Sequence, residues 1–209
     1  MKLRLPLTFD DVTCHQIQKH GDRELSDYDL VKVYGGYKDA ELRDIEYSLI
    51  EAGAKHLKDI LQTKVNKHQP IIEIQGDKFG FIPSWGDLTG GEYIDLTTYA
   101  EEPIENVCKI MSILYRPIER QLGDTYEIEK YKGTNEQLFQ NVSASLYFGA
   151  MLFFWNIKRN SLMTSLQYLE KELQTGLQKN GGGITRCTSW LKKTFFKFKR
   201  LLLYPLRKY

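Results

Sequence analysis

The residue types in this sequence that are suited to chemistry are histidine, cysteine and paired carboxylates. Histidine and cysteine are the usual zinc ligands and the usual base and nucleophile of covalent catalysis. Their spacing here matches no metal-binding pattern, and Cys14-His15, although adjacent, is not a catalytic pair by itself. Asp10-Asp11 and Glu101-Glu102 are typical of exposed helix starts, where the helix dipole favours negative charge. The histidines and cysteines are His15, His20, His56, His68, Cys14, Cys108 and Cys187.

Motifs that bind phosphate or activate a nucleophile are also missing from the sequence. It contains no phosphate-binding glycine loop, no nucleophile elbow, no His-Glu-x-x-His and no Cys-x-x-Cys. We therefore expect a protein that is not an enzyme and that has no catalytic residues, no metal site and no cofactor. The three cysteines lie far apart, which indicates a reducing compartment rather than a disulfide framework.

Charge is distributed unevenly along the chain. Residues 184–209 contain eight basic residues and no acidic one. The net charge of +2 minus these eight positive charges leaves −6 on the residues that precede them. The sequence thus predicts an acidic body with a basic C-terminal arm.

Within the arm, apolar side chains recur at helical spacing and basic side chains flank them. This pattern predicts a basic amphipathic helix, which in other proteins binds an anionic membrane surface, nucleic acid or a groove on a partner protein. Packing of the helix on the acidic body of the same chain is the plain alternative. Its large aromatic side chains favour a protein groove, because such anchors dominate interface energetics. The predicted partner-binding residues are Trp190, Lys192, Lys193, Phe195, Lys197, Phe198, Arg200 and Leu202.

The middle of the chain predicts a β-hairpin followed by two helices. Two β-rich runs lie on either side of Gly76-Asp77, where a glycine tolerates the positive φ of a primed turn. Thr89 and Glu92 are spaced as a capping box at the start of the first helix. Pro103 suits the first turn of the second helix, and Pro117 marks its end.

One stretch of this central region resembles a known class of proteins. The run FGFIPSWGDLTGGEYIDL (79–96), followed by KIMSILYRPI (109–118), resembles structural and assembly proteins of tailed bacteriophages, notably the crAss-like phages of gut bacteria. It is more loosely similar to phage tail assembly chaperones. The resemblance covers roughly residues 70–180 and, more weakly, the first 65. It implies a role in virus assembly and carries over no catalytic residue.

The chain before the hairpin predicts helices. A short helix is expected over Thr13–Lys19, and a second helix should stop at Gly35-Gly36. Apolar residues at helical spacing predict one long amphipathic helix from Asp39 to Thr63, although Gly53 costs about 1 kcal/mol against alanine there.

The chain after Pro117 predicts an extended segment and then more helices. Thr125–Tyr131 alternates as a half-exposed strand does, or forms an extended loop. Thr134–Gln137 is a candidate capping box that opens an uncharged segment ending at Ile157. Polar residues interrupt that segment, so we expect a buried helix rather than a membrane span. Ser161–Lys179 should fold back on it as a helical hairpin.

Together these patterns predict an α+β, mainly α-helical fold with three regions. These are a helical N-terminal region (1–69), a region with the small β-hairpin and the helical hairpin (70–180), and a glycine hinge with the basic arm (181–209).

The expected function is that of a non-enzymatic virion component. We expect a ring or connector subunit at the portal, neck or tail that forms a homo-oligomeric ring and contacts other phage structural proteins. It would be present in the virion, and in the host cytoplasm during assembly. The alternatives are a tail assembly chaperone that is absent from the mature particle, and an internal virion protein that binds DNA or membrane through residues 184–209.

Overall fold

The fold is α+β and mainly helical, as predicted, with one four-stranded antiparallel sheet. A computed structural model describes residues 3–63, 68–84, 86 and 88–154. Met1–Phe153 form one compact unit, and a second unit begins at Phe154. The predicted second helix of the helical hairpin, the glycine hinge and the basic arm lie outside the described residues.

The described helices form three groups along the chain: four precede the sheet, two lie between its second and third strands, and two follow its last strand. The sheet is a meander in which each strand pairs with the next, in the order β1-β2-β3-β4. The helices are α1 (Cys14–His20), α2 (Asp27–Gly35), α3 (Asp39–Arg43), α4 (Tyr47–Leu61), α5 (Gly90–Tyr99), α6 (Val107–Leu114), α7 (Glu136–Phe139) and α8 (described over 144–154). The strands are β1 (Ile71–Ile74), β2 (Asp77–Phe81), β3 (Tyr115–Leu122) and β4 (Thr125–Ile128).

The first two predicted helices are confirmed. The hydroxyl of Thr13 caps α1 by accepting the backbone N–H of Gln16. Gly36 ends α2 in the left-handed conformation, with φ of 69°, which glycine adopts without strain. Lys58 on α4 forms an ion pair with Asp27 on α2, and α2 packs along α4.

The prediction of one helix from Asp39 to Thr63 is wrong. The structure has two helices, because the chain turns between Arg43 and Tyr47. The N–H of Ile45 bonds to the carbonyl of Leu42, and Ile45 is buried, so tertiary packing overrides the local helical pattern.

The β-hairpin is confirmed, with its turn one residue earlier than predicted. Ile74 pairs with Asp77, which leaves Gln75 and Gly76 as the two turn residues. Both have positive φ, at 55° and 92°, as a type I′ turn requires.

The second central helix ends before Pro117, as predicted, but β3, which the sequence did not predict, follows α6 at once. The residue before a proline avoids the helical conformation, and here Arg116 is extended and pairs with Gly80 of β2. The predicted placement of Pro103 in the first turn is wrong, since Pro103 lies four residues before α6. Its carbonyl instead accepts a hydrogen bond from the Tyr147 hydroxyl.

β4 confirms the strand predicted after Pro117, over part of the expected length. It pairs with β3, whose register shifts between Ile118 and Arg120. The shift is a local irregularity in β3, the strand that connects β2 to β4.

The single helix predicted from Gln137 towards Ile157 is wrong at its start. α7 ends at Phe139 and has no side-chain cap, and α8 begins at residue 144. The chain breaks because Val142 and Ala144 pair with the start of α1. The Cys14 N–H bonds to the Val142 carbonyl at 2.8 Å, and the Ala144 N–H bonds to the Val12 carbonyl at 2.7 Å.

These reciprocal bonds join two similar sequences. Phe-Asp-Asp-Val-Thr (9–13) precedes α1, and Phe-Gln-Asn-Val-Ser (139–143) precedes α8. The two segments meet in an antiparallel bridge between Thr13 and Ser143. Within the described residues, no helix combines the length and the apolarity needed to cross a bilayer.

Candidate functional site

The sequence-predicted binding residues do not include the most distinctive site of the structure. Residues 190–202 of the basic arm lie outside the described residues, so their role stays a prediction. Within the described part of the chain, a buried ion pair between α5 and β3 lies beside a cavity.

The acidic member of the pair is Glu92, the third residue of α5. The predicted capping box is confirmed: the Glu92 N–H donates to the Thr89 hydroxyl at 3.3 Å, and the Thr89 N–H donates to Oε2 of Glu92 at 2.6 Å. Glu92 is fully buried, which is uncommon for a glutamate without a charged partner. The capping box therefore uses Oε2 of Glu92, and the other carboxylate oxygen, Oε1, is buried without a contact to the capping box.

The basic member of the pair is Arg116 on β3. Its Nη1 lies 2.6 Å from Oε1 of Glu92, and its side chain is only 10% exposed. Gly80, its partner on β2, has no side chain, and a Cβ there would lie 2.9 Å from Ile128 and also contact the Tyr126 ring. Glycine at this position thus leaves room for the side chains of Tyr126 and Ile128 on β4 to pack over β2.

The ion pair does not use the full hydrogen-bonding capacity of either group. Oε1 of Glu92 and Nε of Arg116 are buried without an aligned hydrogen-bond partner within the described residues. Burial lowers the pKa of Arg116, while the charges of Glu92 and Tyr131 act in the opposite direction. The carboxylate therefore offsets the burial of the guanidinium only in part.

A second polar contact joins α5 to the chain after β4. The Tyr131 hydroxyl donates a hydrogen bond of 2.7 Å to the Asp95 carboxylate, one helical turn after Glu92. Burial, and then the bond to this carboxylate, raise the pKa of Tyr131. Tyr131 is consequently a neutral donor at physiological pH, and α5 is fixed through both acidic residues on this face.

A cavity of about 180 Å³ lies next to Arg116. It is bounded by side chains of β2, α6, β3 and α7 and by the segment after β4. Aromatic and apolar groups form most of its wall, and three basic residues and one acidic residue complete it. The lining residues are Phe79, Ser112, Tyr115, Arg116, Pro117, Glu129, Lys130, Tyr131, Lys132, Gly133, Asn135, Leu138 and Phe139.

Within the described residues, which exclude Cys187, the histidines and cysteines are not assembled into a reactive site. Burial raises the pKa of the Cys14 thiol well above its usual value and that of Cys108 to about 11, so both are protonated. His20 Nδ1 lies 2.6 Å from the Tyr34 hydroxyl, inside the helical layer. Among residues 3–63, 68–84, 86 and 88–154, no three His, Cys, Asp or Glu side chains are placed to hold a metal ion.

Sequence reasoning identified Glu92 as a capping residue and missed Arg116 and Tyr131. The signal for Arg116 was present, since it follows the apolar run IMSILY, where a charged residue needs a partner. The identity of that partner depended on β3, a strand the sequence did not reveal. Tyr131 gave no comparable signal.

The opposite face of α5 presents apolar side chains to solvent. Ile94 is 63% exposed and Tyr93 is 43% exposed, whereas Leu96 on the inner face is buried. Within the described residues, large apolar side chains are also exposed before α1, at the start of α4, at the tip of the β3–β4 hairpin and near the described end of α8. They are Leu7, Tyr47, Leu49, Leu122 and Phe153.

Comparisons with known proteins add no relative to these observations. No protein-family model matches the chain, no curated protein matches it, and no solved structure matches it.

Proposed function

We propose that this protein is a non-enzymatic structural component of a tailed phage virion, a ring or connector subunit at the portal, neck or tail. The class of protein rests on the resemblance of residues 79–96 and 109–118 to phage structural proteins. The structural observation that supports assembly through protein contacts is the outward pair Tyr93 and Ile94 on a firmly held helix.

The manner in which α5 is held suits it to a contact role. The buried Glu92 and Leu96 fix one face of the helix, and the Tyr131–Asp95 hydrogen bond fixes its middle. A side chain presented from an immobilised helix loses less conformational freedom on binding than one on a loop. Aromatic residues are enriched at protein interfaces, and Tyr93 offers such a contact.

The first test is the mass of the protein in solution. We expect the full chain to form a defined oligomer by light scattering, and Tyr93→Ser with Ile94→Ser to shift it towards monomer. Leu122→Ser is the matched control, because it removes an even more exposed apolar side chain (81%) from the β3–β4 tip. A chain that stays monomeric at every concentration, or a control that dissociates equally, would contradict a contact role for α5.

The second test distinguishes a virion subunit from an assembly chaperone. Mass spectrometry of purified particles should find the protein in stoichiometric amounts if it is a ring subunit. A chaperone would be present in infected cells and missing from particles. Deletion of residues 184–209 should abolish incorporation and leave the body folded, if the arm binds a neighbouring subunit. Truncated protein in particles at normal copy number would refute this role of the arm.

A further inference from the structure

We propose that the cavity beside Arg116 binds the carboxylate of a small organic acid with an apolar body. This binding site goes beyond the assembly role and does not depend on it. Its three grounds are the unused donors of Arg116, the charge of the cavity lining and the apolar character of the walls.

The first ground is the hydrogen-bonding capacity of Arg116. A guanidinium carries five N–H donors, and a carboxylate can accept two of them side by side. Arg116 has one charged contact within the described residues, from Nη1 to Glu92, and its side chain is nine-tenths buried. Arg116 lines the cavity, so an oxygen-bearing ligand there would accept hydrogen bonds from the part of the guanidinium that reaches it.

The second ground is the sign and size of the charge. Three basic residues, Arg116, Lys130 and Lys132, and one acidic residue, Glu129, line the cavity. Glu92 offsets a further positive charge from behind Arg116. Glu129 pairs with Lys132 at 2.8 Å, whereas Lys130 has no ion-pair partner within the described residues. One net positive charge remains, which matches a monoanion.

The third ground is the shape and polarity of the walls. Phe79, Pro117, Leu138 and Phe139 supply apolar surface around the charged group. A volume of about 180 Å³ is roughly that of six water molecules in the liquid, close to the size of an aromatic ring with one substituent. Sites for small molecules typically combine such apolar walls with a few polar groups that fix orientation.

The experiment is an NMR titration of the isotope-labelled full chain with benzoate and with benzamide. The two probes have nearly the same shape, and only benzoate is charged. We expect benzoate to shift the amide signals of residues 112–116 and 129–139 in a saturable way. Benzamide should bind about tenfold more weakly or worse, because hydrogen bonds to charged groups are the stronger ones.

Two variants test the position of the ligand without removing the ion pair. Leu138→Trp should fill the cavity and abolish benzoate binding, and Lys130→Ala should weaken it a few-fold. Leu122→Ser, at the exposed hairpin tip, is the control and should bind benzoate as the parent does. Melting curves verify that each variant is folded.

Any of four outcomes would overturn the proposal. Three of them are no saturable shift with benzoate, equal binding of benzoate and benzamide, and unchanged binding in a folded Leu138→Trp variant. Inorganic phosphate binding as tightly as benzoate would also refute it, because the apolar walls would then contribute nothing to recognition.

Discussion

Helices α1 and α5 begin with the same motif and differ in what the third residue does next. Thr13 and Gln16 form a capping box at α1, and Thr89 and Glu92 form one at α5. The Gln16 amide then donates to the Tyr34 carbonyl at 2.8 Å, a neutral contact in the helical layer. Glu92 instead places a carboxylate against Arg116, under complete burial.

The difference shows that a local motif determines where a helix starts. A residue distant in the sequence determines which contact the side chain of Gln16 or Glu92 then makes. The two boxes satisfy the same backbone groups at their helix starts. The neutral box needs only a carbonyl acceptor, which a neighbouring helix supplies. The charged box needs a cation from a strand 24 positions away, between Glu92 and Arg116. Its stability is therefore tied to the sheet, and so is the cavity beside it.

The largest loss of stability should come from removing Arg116, the cation that pairs with Glu92 of the α5 capping box. Arg116→Met leaves Glu92 charged and buried, and loss of one partner of a buried pair costs about 3–5 kcal/mol. The free energy of unfolding in urea measures this. Arg120→Met is the matched control on β3, because Arg120 is 78% exposed, and we expect a change within about 0.5 kcal/mol. A loss below about 1 kcal/mol for Arg116→Met would show that Glu92 has another way to be compensated.

Removing the charge of Glu92 should lower the free energy of unfolding by a smaller amount. Glu92→Gln preserves the capping geometry of the neutral box and leaves Arg116, which still reaches the cavity and some solvent. We expect a loss of about 1–3 kcal/mol in urea unfolding. Glu127→Gln, on the exposed face of β4, should change the free energy by no more than about 0.5 kcal/mol. If the two variants lose the same amount, burial of Glu92 has no energetic consequence.

The converse substitution at α1 should lower the free energy of unfolding by a still smaller amount. Gln16→Glu turns the neutral box into a charged one, and the carboxylate faces the Tyr34 carbonyl without a hydrogen to donate. Because Gln16 is only half-buried, water can solvate the new charge, and we expect a loss of about 1 kcal/mol. An increase in stability would mean that the N-terminal charge preference of the helix dominates the lost hydrogen bond.

The smallest effect is a dependence on pH that α1 should show and α5 should not. Burial lowers the pKa of His15 and His20, on α1, below the ordinary value of 6.5. The folded state then binds fewer protons than the unfolded state, so their contribution is complete above pH 6.5 and is lost as the pH falls through their lowered values. The protection of α1 amides, corrected for the slower intrinsic exchange at lower pH, should fall on mild acidification, whereas the protection of α5 amides should not. An equal loss of protection at both helices would contradict this.

Most features that depend on interactions between neighbouring residues were predicted from the sequence. Features that depend on residues far apart in the sequence were not. The capping box at Thr89, the primed turn and the glycine stop at Gly36 are local, and they were predicted nearly to the residue. The capping box predicted at Thr134–Gln137 is wrong, because α7 starts without a side-chain cap. Strand β3 was missed because Pro117 marks a helix end equally well before a loop or a strand, and pairing with β2 and β4 decided between them. The α7–α8 break was missed because it depends on hydrogen bonds to the start of α1.

The candidate site could not be predicted for the same reason, because it depends on residues that are far apart in the sequence. Glu92 and Arg116 were both visible, yet nothing within a few residues of either indicates that they meet. The segments at 9–13 and 139–143 are similar in sequence, but similarity does not indicate contact, and only the fold brings Thr13 and Ser143 together in a bridge.

A double-mutant cycle of Glu92→Gln and Arg116→Met in the full chain addresses the dependence of the α5 site on β3 most directly. Urea unfolding of the parent, both single variants and the double variant yields their interaction free energy. We predict about 2 kcal/mol, because the double variant no longer contains an unpaired buried charge. Losses that add to within about 0.5 kcal/mol would mean that the two residues act independently, and the cavity would then have no organising ion pair.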